Sequence, residues 1–265
     1  MNAIQIVTAA AACSILPAQT SAQDWLIGDL ASGLHSYAQG SGSAMSIGAA
    51  PRQLVGIDFA GDGMLYGVTT WANGNGLYSI DPNSGASDLI GATGLAQIVE
   101  GDVAYDHTTN QLFANYSDIS TNNIYTINLN TGLATLVGPS EEDDISGLAF
   151  DAAGRMWAVD TNTNGSRVLD LLEIDKTNGD VLSRNSLGVL QFSAVLGMDF
   201  NSITNELYMA LGNGDFYSID TGLATASFVD TLNVSGTTGL AFVVPAPGAF
   251  TMLALAGLCT ARRSR

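Results

Sequence analysis

Short apolar runs separated by glycine, asparagine and aspartate make up the body of the chain. The runs are rich in aromatic and β-branched side chains and end on residues that favour tight turns, which is typical of strands joined by hairpins. No stretch of the body keeps a 3.6-residue apolar period with caps at both ends. The pattern therefore predicts an all-β protein.

The apolar runs recur in a fixed order, which indicates an internal repeat. Each unit opens on a run such as Gly56-Ile57-Asp58-Phe59, continues with runs such as Leu65-Tyr66-Gly67 and Leu77-Tyr78-Ser79-Ile80, and ends on a fourth run after a glycine turn. The five openings are residues 56–59, 103–106, 147–150, 197–200 and 239–242. Four strands in about 40 to 45 residues is the period of a propeller blade.

The fifth unit is divided between the two ends of the repeat region. Nothing like a second, third or fourth run follows residues 239–242, but residues 33–48 align without gaps on residues 76–91, with seven of sixteen positions identical. The sequence therefore predicts a single propeller over residues 23–245, with five four-stranded blades and a last blade closed by both termini. An open β-solenoid is the alternative, but its units would not need a divided repeat.

Residues 1–22 have the features of a secretory signal peptide. An apolar stretch over residues 4–16 is followed by the small residues Thr20, Ser21 and Ala22, so we expect cleavage after Ala22. The alternatives are a first buried strand or helix and a lipoprotein site at Cys13. Cys13 and Cys259 are the only cysteines, so the body has neither a disulfide framework nor a thiolate zinc site.

The C-terminal segment, residues 246–265, is a second candidate signal. Pro245-Ala246-Pro247-Gly248 leads into an apolar run, and Arg262, Arg263 and Arg265 end the chain. This order of parts resembles the PEP-CTERM sorting signal, with Ala246 in place of the motif's glutamate. The resemblance implies an exported protein, a transient membrane anchor and a sorting enzyme of the exosortase type as a partner. A plain C-terminal anchor of the same topology is the alternative.

The charge balance excludes several kinds of partner. The chain carries 25 acidic and 8 basic residues, a net charge of −17, and three of the basic residues lie in the last four positions. Nucleic acids and anionic lipids need clustered cations, so neither is an expected partner of the body, and membrane contact is expected only through the C-terminal helix. The acidic surface suits solubility or the binding of cations.

Two oxygen-rich breaks in the repeat suggest a calcium site. Residues 160–165 read Asp-Thr-Asn-Thr-Asn-Gly, the first half of a calcium-binding loop, but Leu171 stands where such a loop needs a bidentate glutamate. An acidic run precedes the third blade, and both segments are expected on one face of the propeller. The candidate ligands are Asp160, Asn162, Asn164, Glu141, Glu142, Asp143 and Asp144. An ordinary hairpin turn beside a solvated acidic loop is the alternative.

The other candidate chemistry is sparse. Asp58 and Asp199 hold the same repeat position on inner strands, where they could face the central channel or only bind neighbouring backbone. His35 takes the place of a packed tyrosine, and His107 lies in a turn. No nucleophile elbow or phosphate loop occurs, so we expect no catalytic residue of those classes.

The sequence therefore favours a non-catalytic, exported binding or structural module of the cell surface or extracellular matrix, whose ligand is a glycan or a protein. The run Tyr-Ser-Ile-Asp-Pro-Asn-Ser-Gly, residues 78–85, is similar to a repeat of secreted bacterial propellers, which implies fold and location but no reaction. The alternative is a glycoside- or polysaccharide-active enzyme that works through paired carboxylates. A deep pocket holding two carboxylates with separated pKa values would favour the enzyme.

Overall fold

A computed structural model describes residues 24–50, 52–69, 74–95, 100–117, 122–140, 144–162, 165–190 and 196–243. Within these ranges every regular element is a strand, and the strands form five antiparallel four-stranded sheets. The expectation of a five-bladed propeller is confirmed. No helix that could span a membrane occurs in the described part of the chain, and both candidate terminal signals lie outside it.

Blades I to IV each use four consecutive strands, numbered from the inner strand to the outer. Blade I contains β4 (Leu54–Phe59), β5 (Leu65–Thr69), β6 (Gly76–Ile80) and β7 (Ser87–Ala92). Blade II contains β8 (Glu100–Asp106), β9 (Gln111–Ser117), β10 (Asn122–Ile127) and β11 (Ala134–Ser140). Blade III contains β12 (Ile145–Phe150), β13 (Met156–Asp160), β14 (Val168–Ile174) and β15 (Val181–Leu190). Blade IV contains β16 (Leu196–Asn201), β17 (Glu206–Leu211), β18 (Asp215–Asp220) and β19 (Thr225–Thr231).

Blade V joins the two ends of the propeller, as the divided repeat predicted. Its inner strand is β20 (Thr237–Phe242), followed by β1 (Asp24–Asp29), β2 (Gly33–Ala38) and β3 (Met45–Ala49). β20 pairs antiparallel with β1, and Trp25 stands opposite Phe242. The ring of Trp25 also contacts Tyr208 and Phe216 of blade IV, with centroid distances of 4.9 and 5.7 Å. One aromatic cluster therefore closes the ring.

Burial falls from the inner to the outer strands. β12 and β20 are buried at every position, whereas β3 and β7 have no buried residue. The aromatic side chains at the recurring position of the second strand are buried and pack against the neighbouring blade. They are Tyr66, Phe113, Trp157 and Tyr208. The core thus lies between neighbouring sheets rather than in one central mass.

Carboxylate and amide side chains fix the hairpin turns. At the turn from the third to the outer strand, Asp81 accepts the N–H of Asn83 at 2.9 Å, and Asp175 accepts that of Thr177 at 2.8 Å. At the turn from the inner to the second strand, Asp106 accepts the N–H of Thr108 at 2.8 Å. These are Asx turns, in which the side chain mimics a backbone turn. Asn128, Asp151, Asn201 and Asp220 do the same elsewhere. Part of the acidic composition is therefore turn chemistry.

The opening of blade II lies one residue earlier than the sequence predicted. Tyr105 pairs with Leu112 as Phe59 pairs with Leu65, so the repeat begins at Asp102 and not at Val103. Six residues separate Tyr105 from Leu112, whereas five separate Phe59 from Leu65, so the strand pairing is needed to fix the register. This correction places an aspartate at a position where the other blades have glycine.

Deletion of residues 237–245 is expected to unfold the propeller rather than trim it. The deletion removes β20 with Leu240 and Phe242, which are 1 % and 3 % exposed. Burial of each is worth about 1.5 to 3 kcal/mol, a large part of a typical stability of about 5 to 15 kcal/mol. It also bares the sheet edge of β1. Urea unfolding followed by circular dichroism measures the loss, and deletion of residues 246–265 is the matched control. Equal stability of the two truncated proteins would contradict a structural role of the divided blade.

Candidate functional site

The inner strands of the five blades meet at the propeller axis. Their first repeat position is held by Gly56, Asp102, Gly147, Gly197 and Gly239. A Cβ atom on Gly197 would lie 2.4 Å from the carbonyl carbon of Gly239, and one on Gly239 would lie 2.8 Å from the amide nitrogen of Ile57. Backbone blocks a side chain at both positions, so the axis is closed at this level.

Asp102 supplies a side chain at this level of the axis. Its carboxylate accepts backbone N–H groups from Val103 at 2.8 Å, Leu148 at 3.2 Å and Met198 at 3.4 Å. These amides belong to the inner strands of blades II, III and IV, so one carboxylate ties three blades together. Complete burial raises the pKa of Asp102 well above its usual value, although the three amides oppose the shift.

Asp58 and Asp199 form the next level of the axis. Asp58 accepts the N–H of Phe59 on its own strand and that of Tyr105 on blade II, both at 2.6 Å. Asp199 accepts the N–H of Phe200 on its own strand and that of Phe242 on blade V, both at 2.7 Å. Both possibilities that the sequence left open are therefore realised, because each carboxylate binds backbone and also lines a cavity on the axis.

Burial dominates the electrostatics of this pair. It raises the pKa of Asp199 to about 7. Burial, followed by repulsion from Asp199, raises the pKa of Asp58 well above its ordinary value. In both groups the backbone N–H donors favour the ionised form but do not outweigh burial. Because the two carboxylates repel each other, ionisation of one opposes ionisation of the other.

The axis opens beyond these carboxylates into a cavity of about 370 Å³, which we call the axial cup. Its wall carries the aromatic residue at the fourth repeat position of every blade, and its rim carries side chains of the hairpins that follow. The cup is lined by Asp58, Asp199, Phe59, Tyr105, Phe150, Phe200, Phe242, His107, Asp151, Ala152, Ser202 and Asn205. We call this end of the propeller the hairpin face, after the turns at residues 60–64, 107–110, 151–155 and 202–205.

A second concavity of about 930 Å³ lies beside the cup, and we call it the lateral groove. Phe59 and His107 line both concavities, so the two adjoin. The groove runs between blades V and I and is lined by Asp24, Trp25, Leu26, Ser36, Ala38, Met45, Ile47, Ala60, Gly61, Asp62, Gly63, Pro82, Asn83 and Val243, besides the two shared residues. Its position has a topological cause, since no hairpin joins the inner and second strands of blade V.

The calcium candidates that the structure describes, Asp144, Asp160 and Asn162, lie at the opposite end of the propeller. The carbonyl oxygen of Asp144 accepts the N–H of Thr161 at 3.0 Å, so the two oxygen-rich segments do meet. Asp160 Oδ2 lies 2.9 Å from Nη2 of Arg184, whose Nη1 lies 2.7 Å from Asp170. Within the described ranges no three His, Cys, Asp or Glu side chains are grouped closely enough to hold a metal ion.

Four of the candidate calcium ligands cannot be compared with the structure, because Glu141, Glu142, Asp143 and Asn164 lie outside the described residues. Asn162 donates its side-chain amide to the carbonyl oxygen of Val168 at 2.9 Å. A calcium ion would have to displace the guanidinium of Arg184 from Asp160. Calcium binding at these loops therefore stays a prediction.

Sequence reasoning missed Asp102 and the cup. The available signal was an aspartate at the repeat position where the other four blades have glycine. Blade II was predicted to begin one residue too late, so the aspartate was not aligned with those glycines. His35 also differs from the expectation of simple packing, because its Nε2 lies 2.8 Å from Oδ2 of Asp29. His107 is exposed in its turn, as expected, and its ring lies 4.8 Å from that of Tyr105 at the mouth of the cup.

Comparison with known proteins supports the fold alone. No protein-family model matches the chain, and no curated protein matches its sequence. Among solved structures, a chain described as "Crystal structure of Nidogen/Laminin Complex" has a similar fold, with a TM-score of 0.58 and 13 % sequence identity. The match covers 83 % of this chain and 98 % of that one. The chain is thus similar to a propeller found in a complex of two proteins.

The pH dependence of stability is expected to report on the axial pair. A carboxyl whose folded-state pKa is raised destabilises the fold while it is ionised, so stability increases as the pH falls through that pKa. Between pH 8 and pH 5 the free energy of unfolding should rise by roughly 2 to 3 kcal/mol through Asp199 alone. Below about pH 4 the trend should reverse, because turn carboxylates such as Asp106, with a pKa of about 2, lose their hydrogen-bonded ionised form.

Asp199→Asn is expected to reduce the rise in the free energy of unfolding between pH 8 and pH 5. Urea unfolding at several pH values measures this rise. Exposed Asp88 provides the matched control, Asp88→Asn, with the same change of charge. Glu100→Gln separates the contribution of Glu100, whose pKa is raised to about 7 by burial and by Asp144. An unchanged slope in Asp199→Asn would show that the axial pair does not titrate in this range.

Proposed function

We propose that the protein is an exported, non-catalytic binding module of the cell surface or extracellular matrix, and that its ligand binds on the hairpin face. The observation that carries the proposal is the pair of adjoining concavities, the axial cup and the lateral groove, on one face of a rigid ring. Both volumes fall in the range of ligand sites, about 300 to 1,000 Å³. Loops on a rigid scaffold are where proteins commonly carry their binding residues.

The composition of the groove suits recognition of an extended ligand. Met45, Ile47 and Val243 provide accessible apolar surface over the buried Trp25, and Asp24 and Asp62 provide carboxylates. Met45 is 70 % exposed at this site and adds a large apolar side chain to the groove. A protein is proposed as the ligand by analogy, because the propeller of similar fold occurs in a complex of nidogen and laminin.

Export is supported by the two terminal segments of the sequence. A signal peptide over residues 1–22 would deliver the acidic body across the membrane, and a sorting enzyme would act on residues 246–265. Absence of cysteine from the body agrees with either redox compartment. The protein would thus be held briefly by its C-terminal segment and then act at the cell surface or in the matrix.

The second candidate function is hydrolysis of a glycoside by paired carboxylates. Asp58 and Asp199 favour it, because both line a cavity and both have raised pKa values. Each carboxylate, however, accepts two backbone N–H groups from the strands of the ring, which explains its presence structurally. Release of reducing sugar from a polysaccharide panel, lost in Asp199→Asn, would favour the enzyme over the binding module.

Met45→Arg is expected to weaken ligand binding at least about tenfold, because it places a bulky charge in the groove. The full-length chain is screened against a glycan array, a small-molecule panel and extracellular proteins, and the affinity of each hit is compared between variants. Leu190→Arg is the matched control, since Leu190 is 56 % exposed at the end of β15, away from the hairpin face. Ligands whose binding is abolished by Leu190→Arg but preserved in Met45→Arg would contradict the assignment of the hairpin face as the binding face.

Intact-mass measurement of the exported protein tests its processing. We expect a mature chain that starts near Gln23 and lies outside the cytoplasmic membrane, because cleavage is expected after Ala22. The unprocessed protein from a host that lacks export of this signal is the control. Retention of residues 1–22 in the exported form would refute the signal peptide.

A further inference from the structure

We propose that the axial cup binds a compact organic cation, an alkylammonium group, whose charge lies over Asp58 and Asp199 and whose alkyl part contacts the aromatic wall. This inference rests on the proposed function, because it names the chemistry of one half of the hairpin face. The ammonium could belong to a small molecule or to a lysine side chain of a protein partner.

The charge of the cup is the first argument. Asp58 and Asp199 both line the cavity, and in the described part of the chain neither makes an ion pair with a lysine or arginine. Their hydrogen-bond donors are neutral backbone amides. His107 is the basic residue that lines the cup, and partial loss of solvent around its ring lowers its pKa. A bound cation would stabilise the ionised form of these carboxyl groups, against the burial that raises their pKa values.

The aromatic wall is the second argument. Five rings, one from each blade, surround the cavity above the carboxylates: Phe59, Tyr105, Phe150, Phe200 and Phe242. Aromatic faces attract ammonium groups, and the attraction strengthens when water is excluded. The chain already shows this combination beside the cup, where Nζ of Lys176 lies 5.6 Å from the centroid of Phe150 and 2.5 Å from Oδ2 of Asp106.

The size and lining of the cup favour an organic cation over a metal ion. A volume of about 370 Å³ accommodates a small organic group, whereas a metal ion would need close oxygen ligands on several sides. Calcium takes six to eight oxygens, but most of the wall here is aromatic carbon. Both oxygens of Asp58 and of Asp199 also already accept an amide hydrogen, which disfavours tight coordination of a metal ion by these groups.

The placement of the two carboxylates indicates how a larger ligand would lie. Asp58 belongs to blade I and Asp199 to blade IV, and these blades flank blade V on either side. The negative charge is therefore on the side of the cup nearest the divided blade, next to the lateral groove. A ligand with its ammonium group in the cup would extend its remaining chain past Phe59 into the groove.

The test measures binding of choline to the full-length chain by calorimetry and by ligand-observed NMR at constant ionic strength. The neutral isostere 3,3-dimethylbutan-1-ol is the reference ligand, and n-butylammonium and a short peptide with one lysine are the further arms. We expect at least one of the three cations to bind at least about tenfold more tightly than the neutral isostere. Binding by the peptide alone would assign the ammonium to a protein partner.

Three variants locate the site. Asp199→Asn should weaken cation binding about tenfold by removing charge, and Phe59→Leu should weaken it about fivefold by removing a ring while the carboxylates stay. Asp88→Asn, the control for net charge, should bind as the wild type does. If Asp199→Asn does not fold, Phe59→Leu still decides the matter, since Phe59 is only partly buried.

Two outcomes would overturn the inference. One is equal affinity for cations and the neutral isostere, or no binding of either, and the other is cation binding that Phe59→Leu and Asp199→Asn leave intact. Failure here is distinguishable from failure of the proposed function. If Met45→Arg abolishes binding of a ligand found in the screen, the assignment of the binding face stands. The cup would then lose only its proposed cation.

Discussion

The close approach of five inner strands at one axis is the constraint on which the rest of the structure depends. At Gly197 and Gly239 the neighbouring backbone is too near for any side chain, and Asp102 fills the remaining space with a carboxylate that binds amides of three blades. Because the axis is closed there, the cavity can open only beyond it, where the fourth repeat position brings aromatic rings. The glycines at the first repeat position thus determine both how closely the inner strands pack and how deep the cup is.

The fold was predictable because every blade repeats the same signals. A register error in one unit, such as the opening of blade II, does not alter the number of blades or the closure by blade V, since four other units and the match of residues 33–48 to 76–91 support them. The candidate site was not predictable in this way. Asp58 and Asp199 line one cavity only because the ring closes. No local sequence pattern predicts which distant strands will line the same cavity.

Net charge was a weak guide to function, for a physical reason. Aspartates such as Asp81, Asp106 and Asp175 hold turns, and hydrogen bonds keep them ionised, so they raise the negative charge without forming a site. The carboxylates at the axis behave oppositely, because burial raises their pKa values. The net charge counted from sequence therefore describes the turn aspartates well and the buried axial aspartates poorly.

The divided blade also determines how the molecule responds to force. Asp24 begins β1 and Phe242 ends β20, and in this antiparallel pair the two residues lie at the same end of the strands, with Trp25 opposite Phe242. A load applied between the two chain ends would therefore separate the strands like a zipper, breaking backbone hydrogen bonds one after another instead of shearing them together. The strand pair that closes the ring is therefore loaded in the peeling geometry, one hydrogen-bonded pair at a time.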